Sequence, residues 1–549
     1  MSFPASPAST VSADEARGRF ATLSPDSTDA EAALQEVVEA LGDELSVTPL
    51  GAFIEPAPRP ADDESGPNDT DQSKTYRFVL SFDHPPGGPR AGWVLGKGNH
   101  CGPGVQLPVC PPRTKNKTGD VSAQSGGAIA LIYMHPETGA FIIQALSQKY
   151  PVTYRSGDGN TDIVLKAGAR SVLHMTRNHL RFRLGRKIFD YMLEFAITNK
   201  KRFITARNRF ARDVIRPGES IEPYKQLDHL PKQSHHRIRR VVVHRTLSAG
   251  TFGVVRAGVE TETGNPVAIK TIHCKSSQVH TVQNELKIAN SFPKDTVGII
   301  PILDTWCEHG TRPCFKGPLE DVHFSMPLAR CDFDNAPWES IDHHKRMMLF
   351  RQTLQGLQAI HSSGVMHRDI SIRNLLINDL ETPRAGICDF GKAKRAAEGV
   401  ELRIGPLHTI APEVGSGPYS SAIDIWSLAY AWLWTYQRRK DTTVQTNTER
   451  HTLLIDTVDN LYQGCDITAD FASLLLLMLS YEPNQRPTAE KALQHPAWNE
   501  LEYASSDVPT ECDSLRLKPQ SFGPGPSKKP RLQTPDDASI PNTLSPRTP

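Results

Sequence analysis

VMHRDISIRNLLI (residues 365–377) is the stretch whose reading decides the fold. It sets Asp369 five positions before Asn374, in a His-Arg-Asp context flanked by apolar residues. A carboxylate that can accept a proton and a neighbouring hard oxygen donor are what phosphate chemistry asks of such a loop. Ser371 stands where a basic residue would be expected, and Arg373 directly precedes Asn374.

Working outward, residues 247–255 read LSAGTFGVV between two β-prone runs, RRVVVH and VVRAGV. A strand, a Gly-rich turn and a strand let backbone amides approach phosphates without Cβ obstruction, although a plain hairpin explains the pattern as well. NPVAIKTIH follows as an alternating strand that points Lys270 inward. A buried ammonium group needs a partner, and Glu285 in the amphipathic VQNELKIANSF can supply one. HHKRMMLFRQTLQGLQAIHSSGV is a helix with Phe350, Leu354 and Leu357 on one face, leading into the opening stretch. Beyond it, AGICDFGKAK ends a strand in Asp389-Phe390-Gly391. Ala411-Pro412-Glu413, Asp424 ahead of an apolar helix, and PNQRPTAEKALQHPAW with Arg486 complete the series.

Taken in this order between Arg239 and Leu501, the motifs resemble a eukaryotic protein kinase domain, and HRDISIRN is similar to the catalytic loop of fungal-type protein kinases. The resemblance implies a bilobal α+β fold, ATP and Mg2+ as cofactors, and transfer of the γ-phosphate to protein hydroxyls. It implies that Lys270, oriented by Glu285, holds the α- and β-phosphates. Asp389 and Asn374 would be the metal ligands, and Asp369 would accept the substrate's proton. Gly250 and Gly253 would bring backbone over the phosphates, while Leu247, Ser248, Val255, Ala268, Met326 and Leu328 would surround the nucleotide. Met326 reads as the gatekeeper and Pro327–Ala329 as the hinge, where Pro327 offers a carbonyl but no N–H. Glu413 and Arg486 resemble the family's buried ion pair, Asp424 the residue that holds the catalytic-loop backbone, and His367 a packed histidine. Cys388 reads as a small core residue in preference to a reactive thiol, because no basic neighbour is evident.

The chain also departs from the family pattern. Ser248 replaces the first glycine of the Gly-rich loop. Serine/threonine kinases carry Lys at the place of Ser371 and a Thr at the place of Pro406, so both halves of one interaction are missing. Arg373 can supply the absent cation or be an ordinary surface arginine. The activation segment contains one hydroxyl, Thr409, close to Ala411. Glu398 or Glu401 could then pair with Arg368, giving a kinase active without loop phosphorylation. Serine/threonine specificity is favoured over tyrosine because the rest of the block, including HPAW, resembles that branch.

Composition bounds the remainder. The chain has 549 residues, 38% hydrophobic and 22% charged, with a formal net charge of +1, so its electrostatics are local. Its nine cysteines form no C-x-x-C pair, which suits a reduced intracellular protein. The N-terminus lacks the apolar core of a secretory signal. The apolar runs 422–436 and 471–480 are shorter than the roughly 20 residues that span a bilayer, so they read as buried helices of a soluble protein without a membrane partner.

Composition shifts divide the chain into five regions. Residues 1–74 read as mostly disordered, with a possible short helix at DAEAALQEVVEALGDEL. Residues 75–198 read as an all-β sandwich, residues 199–238 as a basic linker, 239–501 as the kinase block, and 502–549 as a disordered tail. The β-rich block is similar to a forkhead-associated (FHA) domain. That implies phosphopeptide binding, with Gly96-Lys97 and Ser122 as candidate contacts, although Lys stands where the family has Arg. The bland reading is a β-domain that packs on the kinase and positions it. PSKKPRL (526–532) suits nuclear import, so nucleus and cytoplasm both remain open. In NKKRFITARNRFAR an amphipathic linker helix is favoured over nucleic-acid contact by Phe203 and Phe210. Thr534, Ser545 and Thr548 each precede Pro and are candidate phosphosites. The alternative to an enzyme is a pseudokinase scaffold that binds nucleotide and recruits partners through the β-domain. Retention of Lys270, Glu285, Asp369, Asn374 and Asp389 argues against it.

Overall fold

The computed structural model describes residues 18–42, 53–57, 75–84, 86, 91–98, 105–110, 127–157, 159, 161–197, 199–217, 224–227, 237–250, 253–307, 310, 319–402, 404, 409–437, 446–499 and 501. Ser122, Pro406, the PSKKPRL cluster, Thr534, Ser545 and Thr548 lie outside these residues.

Two sheets face each other in the N-terminal region. The strands are β1 (Arg19–Pro25), β2 (Ile54–Pro56), β3 (Tyr76–Ser81), β4 (Gly92–Lys97), β5 (Leu107–Cys110) and β6 (Ala128–Met134). They continue with β7 (Phe141–Ala145), β8 (Val152–Ser156), β9 (Ile163–Leu165), β10 (Arg170–Val172), β11 (Arg177–Leu184) and β12 (Lys187–Phe195). One sheet runs β2-β3-β1-β12-β11-β8-β9, the other β10-β7-β6-β4-β5. In β11 and β12 burial alternates residue by residue, as expected of strands with one face in the core.

Within residues 75–198 every described element is a strand, as expected; the residues before them differ from the sequence reading. Arg19–Pro25 is a sheet strand, paired with β12 on one side and β3 on the other. The patch DAEAALQEVVEAL forms helix α1 (Thr28–Leu41), with Ala30, Ala33, Leu34, Val37 and Leu41 buried. Ser27 caps it by accepting from the Ala30 amide, and the same Oγ accepts the Asp190 amide of β12 at 3.1 Å. The cap therefore also ties the helix to the sheet. A composition rich in Ser, Pro, Ala and Glu hid eight buried positions between residues 19 and 41 that only tertiary packing makes valuable: Phe20, Ala21, Leu23, Ala30, Ala33, Leu34, Val37 and Leu41.

The basic segment after the sandwich folds as helix α2 (Lys200–Phe210), continued by a π-helical turn over Ala211–Ile215. Its aromatic residues turn inward: Phe203 stacks near Phe82 at 5.7 Å between ring centroids and Phe210 lies on Trp93 at 5.8 Å. The amphipathic-helix reading accounts for both phenylalanines, which are committed to the core and unavailable for nucleic acid.

The C-terminal block has two lobes. The smaller holds a six-stranded sheet ordered β13-β14-β15-β16-β19-β18. Its strands are β13 (Arg237–Ile238), β14 (Val241–Gly250), β15 (Gly253–Glu260), β16 (Pro266–Lys275), β18 (Asp304–Cys307) and β19 (Leu319–Pro327), and helix α3 (Val279–Ala289) packs with them. Strand β17 (Gly298–Ile299) joins β20 (Cys331–Asp332), β22 (Leu375–Asp379) and β23 (Arg384–Ile387) in the sheet β17-β23-β22-β20. β21 (Val365–Met366) pairs with β24 (Lys394–Arg395). The larger lobe is built on α4 (His343–Ser362), α5 (Ala422–Gln437), α6 (Asn447–Gln463) and α7 (Ala469–Met478). The two apolar runs are α5 and α7, buried around Trp432, Phe350 and Phe471. Among the described residues no helix is long and apolar enough to cross a membrane.

Sandwich and small lobe share one apolar seam. Ile142 of β7 and Val172 of β10 meet Ala257 and Val259 of β15, with Tyr224, Leu227, Ala268 and Leu328 in the same cluster. The Val172 amide donates to the Thr261 carbonyl at 2.7 Å, and the Thr138 hydroxyl donates to the Gly264 carbonyl at 3.0 Å. The β-region packs against the strands that carry the Gly-rich hairpin and Lys270.

Candidate active site

Between the lobes opens a cavity of about 730 Å³. Leu247, Ser248, Val255, Ala268, Met326 and Leu328 line its small-lobe and hinge side, and Lys270, Asn374 and Asp389 stand in its wall. The register of β15 on β16 pairs Val255 with Lys270, and that of β16 on β19 pairs Ala268 with Met326, so strand alternation alone delivers these side chains to one face. Gly250 and Gly253 close the hairpin as a facing pair and are not among the lining residues. Gly253 is required for another reason: at φ +117° its Cβ position lies 2.2 Å from the Thr271 carbonyl oxygen, leaving no room for a side chain.

At the inner end the Lys270 ammonium lies 2.8 Å from Glu285 Oε1 and 2.7 Å from Asp389 Oδ1. Burial works against the charge on Lys270, but the two carboxylates override it and hold its pKa above the ordinary value. Burial likewise raises Asp389, yet the Lys270 ammonium and the Gly391 amide bring it below the usual carboxylate range. Asp389 sits at φ +65°, a left-handed backbone that a non-glycine residue keeps only when its surroundings fix it.

The catalytic loop is fixed from beneath. Asp424 accepts the His367 and Arg368 amides at 2.8 Å each, and His361 Nε2 lies 2.9 Å from the same carboxyl group. Those bonds hold Arg368 at φ +65°. His367 is fully buried, with Nε2 on the Cys388 carbonyl at 3.2 Å, and burial pushes its pKa down, as suits a packing histidine. Asn374 donates through Nδ2 to the Asp369 carbonyl at 2.8 Å, tying the expected metal ligand to the expected base. Burial raises the Asp369 carboxyl and a lysine opposes that rise. That lysine is Lys392, with Nζ 3.3 Å from Asp369 Oδ1.

Arg373 lines the cavity, with its guanidinium 3.3 Å from Asp334 and its side chain 72% exposed, which suits either of the two readings the sequence allowed. Of the two acids proposed for Arg368, Glu401 is the partner, at 2.9 Å from Nη1. Lys394 and Tyr419 bond to the same Glu401 carboxylate. Glu413 and Arg486 form a bidentate pair at 2.7 and 2.8 Å. Cys388 carries a thiol that burial raises far out of the reactive range.

Two contributors were missed in the sequence. Lys392 follows Asp-Phe-Gly directly, and a charged residue there beside a missing loop cation was a usable signal. Gln226 had none: it comes from the linker and donates through Nε2 to the hinge carbonyls of Ala329, at 3.2 Å, and Arg330.

The sequence from 241 to 498 matches the family model described as the protein kinase domain. Residues 241–498 are a protein kinase domain. The chain is 28% identical over 312 residues to extracellular signal-regulated kinase 1 of Dictyostelium discoideum, covering 49% of this chain and 57% of that protein. It is 27% identical over 282 residues to the mitogen-activated protein kinase HOG1 of Eremothecium gossypii, with 45% and 60% covered. It is also 27% identical over 299 residues to serine/threonine-protein kinase NLK2 of Xenopus laevis, with 46% and 64% covered. The chain thus spans less than two thirds of the length of each of these relatives. Within the kinase domain, the cavity with Lys270, Asp389 and Asn374, next to the loop that carries Asp369, is the candidate active site.

The groups expected to bind there suit the residues present. The apolar lining is the environment an adenine ring takes, and the Lys270 ammonium is a phosphate partner. Among the described residues no group of three or more His, Cys, Asp or Glu side chains could hold a metal ion by itself. Asn374 and Asp389 are a two-residue oxygen set, of the kind magnesium uses when phosphates and water complete its shell.

Proposed function

We propose that the chain is an ATP- and Mg2+-dependent protein kinase directed to serine or threonine hydroxyls of protein substrates. The observation that carries this reading is the joining of Lys270, Glu285 and Asp389 in one ion-pair cluster at the inner end of a nucleotide-sized cavity. The serine/threonine preference rests on the resemblance of relatives such as the Xenopus laevis protein named a serine/threonine-protein kinase.

Lys270 neutralises the inner phosphates of ATP and keeps its charge at any working pH, because two carboxylates face it. Asp369 orients the substrate hydroxyl and accepts its proton; Asp424 fixes the loop on which it stands. Magnesium, when held by Asn374 and Asp389, neutralises charge on the phosphate oxygens. Pro327 contributes a carbonyl to the hinge, while Gln226 holds the carbonyls that follow it.

The test is transfer of labelled phosphate from ATP to a generic protein substrate by the full chain, beside Asp369→Ala, with Mg2+ and with Mn2+. Wild type should exceed the variant by several hundredfold or more, and phosphoamino-acid analysis should return phosphoserine or phosphothreonine. Equal, background transfer by both across several substrates would overturn the enzyme reading in favour of a scaffold. The FHA resemblance is a separate part of the proposal, supported by the two-sheet architecture. Lys97, its candidate phosphate contact, lies 3.5 Å over the Tyr150 ring. Titration of a phosphothreonine peptide against wild type and Lys97→Ala decides it: no binding by wild type removes the partner.

A further inference from the structure

We infer that Lys392 is the positioning cation of this active site, doing for Asp369 what the lysine missing at Ser371 would otherwise do. The inference rests on the kinase reading above.

Ser371 is buried and neutral, and its carbonyl accepts the Asn374 and Leu375 amides at 2.9 and 3.2 Å, so it serves the loop as a turn residue. Arg373 lines the cavity but pairs with Asp334 at 3.3 Å, and its side chain is 72% exposed. Among the described residues the cation in ion-pair contact with Asp369 is Lys392, and both side chains are sheltered, 23% and 16% exposed. A pair so far out of water is screened less than a surface pair.

The position of Lys392 is held from both ends. On one side Phe390 is buried and its carbonyl accepts the Ala393 amide at 3.0 Å. On the other, Lys394 and Arg395 pair with Met366 and Val365, the strand that enters the catalytic loop. Arg368 Nε donates to the Lys392 carbonyl at 2.7 Å, and Asn284 donates to the Ala393 carbonyl at 2.9 Å. The segment is thus clamped against the loop that carries Asp369. The strand pair begins two residues beyond Lys392, which keeps this segment beside the loop.

In the transfer step the substrate oxygen forms a bond to the γ-phosphorus. The bond from that phosphorus to the bridging oxygen breaks, its electron pair leaves on ADP, and the hydroxyl proton passes to Asp369. Asp369 must therefore be ionised and aimed beforehand. The groups that face it are Lys392 and Asp389 from the segment after β23, and His367 from its own loop. Of these groups Lys392 is the cation in ion-pair contact with the carboxylate, so removing it should leave Asp369 less firmly aimed at the substrate hydroxyl.

The experiment uses the full chain as wild type, Lys392→Met, Lys392→Arg, the double variant Lys392→Met/Ser371→Lys, and Asp369→Asn. Thermal melting and nucleotide binding confirm that each is folded; kcat and KM for ATP are the readouts. Loss of one charge-assisted bond predicts a fall in kcat of roughly 10- to 100-fold in Lys392→Met. KM for ATP should move by less than about threefold, because Lys392 acts on the base and not on nucleotide binding. Lys392→Arg should keep most of the activity, and restoring lysine at 371 should recover at least about tenfold. If Lys392→Met turns over like wild type, the inference is overturned while the kinase reading stands. It is equally overturned if the loss is recovered by neither rescue, or if KM for ATP rises with the fall in kcat, since that marks a structural role. If wild type transfers no more phosphate than Asp369→Asn, the kinase reading and this inference fall together.

Discussion

Glu401→Gln tests whether this kinase domain carries its own activation-loop acid. The Glu401 carboxylate lies 2.9 Å from Arg368 Nη1 and 2.8 Å from Lys394 Nζ, and it also receives the Tyr419 hydroxyl. Arg368 in turn holds the Lys392 carbonyl, so Glu401 is coupled to the Asp369 site through a single side chain. A phosphate on an activation segment does the same work through an equivalent arginine contact. Charge-assisted hydrogen bonds contribute roughly 1.5–3 kcal/mol when sheltered. Glu401 is 45% exposed, so screening reduces this to about 1 kcal/mol. If that energy favours the ordered segment over a loosened one, kcat should fall about fivefold in Glu401→Gln, which keeps the shape and removes the charge. Glu401→Lys, which faces Arg368 with a like charge, should cost more.

The pH behaviour has a definite sign. Lys394, backbone amides and Arg368 hold the Glu401 carboxyl well below its ordinary 4.5, so it is ionised throughout the neutral range. The stabilisation from a depressed carboxylate is fully present above the unfolded value and disappears as pH falls through the folded one. The fivefold difference between wild type and Glu401→Gln should therefore be constant near neutrality and shrink only in strong acid. The assay is steady-state kcat of protein treated with phosphatase and shown by mass spectrometry to be unphosphorylated. Two results refute the reasoning: wild-type activity that collapses on dephosphorylation of the activation segment, or Glu401→Gln activity indistinguishable from wild type.

Other substitutions probe other parts of the frame. Asp424→Asn leaves one of two loop amides facing an NH2 group, and should lower kcat roughly 30- to 150-fold from an orphaned-donor cost of about 2–3 kcal/mol; activity within threefold of wild type would show that the loop is held by other means. Leu34→Ala in α1 should destabilise the sandwich by about 2–5 kcal/mol in denaturant unfolding, because the side chain is fully buried, whereas a fraying tail helix would lose almost nothing. Gln226→Ala releases the Ala329 and Arg330 carbonyls and should raise KM for ATP about two- to fivefold with little change in kcat; an unaltered KM would separate the linker from the nucleotide site. In the folded chain at mildly alkaline pH, iodoacetamide should label the exposed Cys465 ahead of the half-buried Cys388, whose thiol is held far above its ordinary value, and peptide mapping reads the order directly.

What the sequence made legible follows from what is local. Lys270, Glu285, Asp369, Asn374 and Asp389 each sit in a short motif whose neighbours set the backbone. The alternation of NPVAIKTIH was enough to turn Lys270 inward, and the helical spacing of VQNELKIANSF was enough to bring Glu285 to it. Phe203 and Phe210, seven residues apart, already marked one face of a helix, and that face is the buried one. The readings that needed correction depend on partners distant in the chain. Arg19–Pro25 has no strand signal of its own and becomes a strand because β12 and β3 flank it, from more than fifty residues away. The helix at Thr28–Leu41 looked marginal alone, since a short helix in water gains little until an apolar face is covered. Arg373 and Lys392 show the same limit within the active site. Arg373 is next to Asn374 in sequence, but a turn faces it toward Asp334; Lys392 is twenty-three residues from Asp369, but the pairing of Lys394 with Met366 brings it back. Proximity in the loop pointed to Arg373, and the ion pair with Asp369 adds Lys392 as a second cation nearby. A missing motif residue in a kinase loop is therefore weak evidence for a dead enzyme until the segment paired against that loop has been searched for a replacement charge.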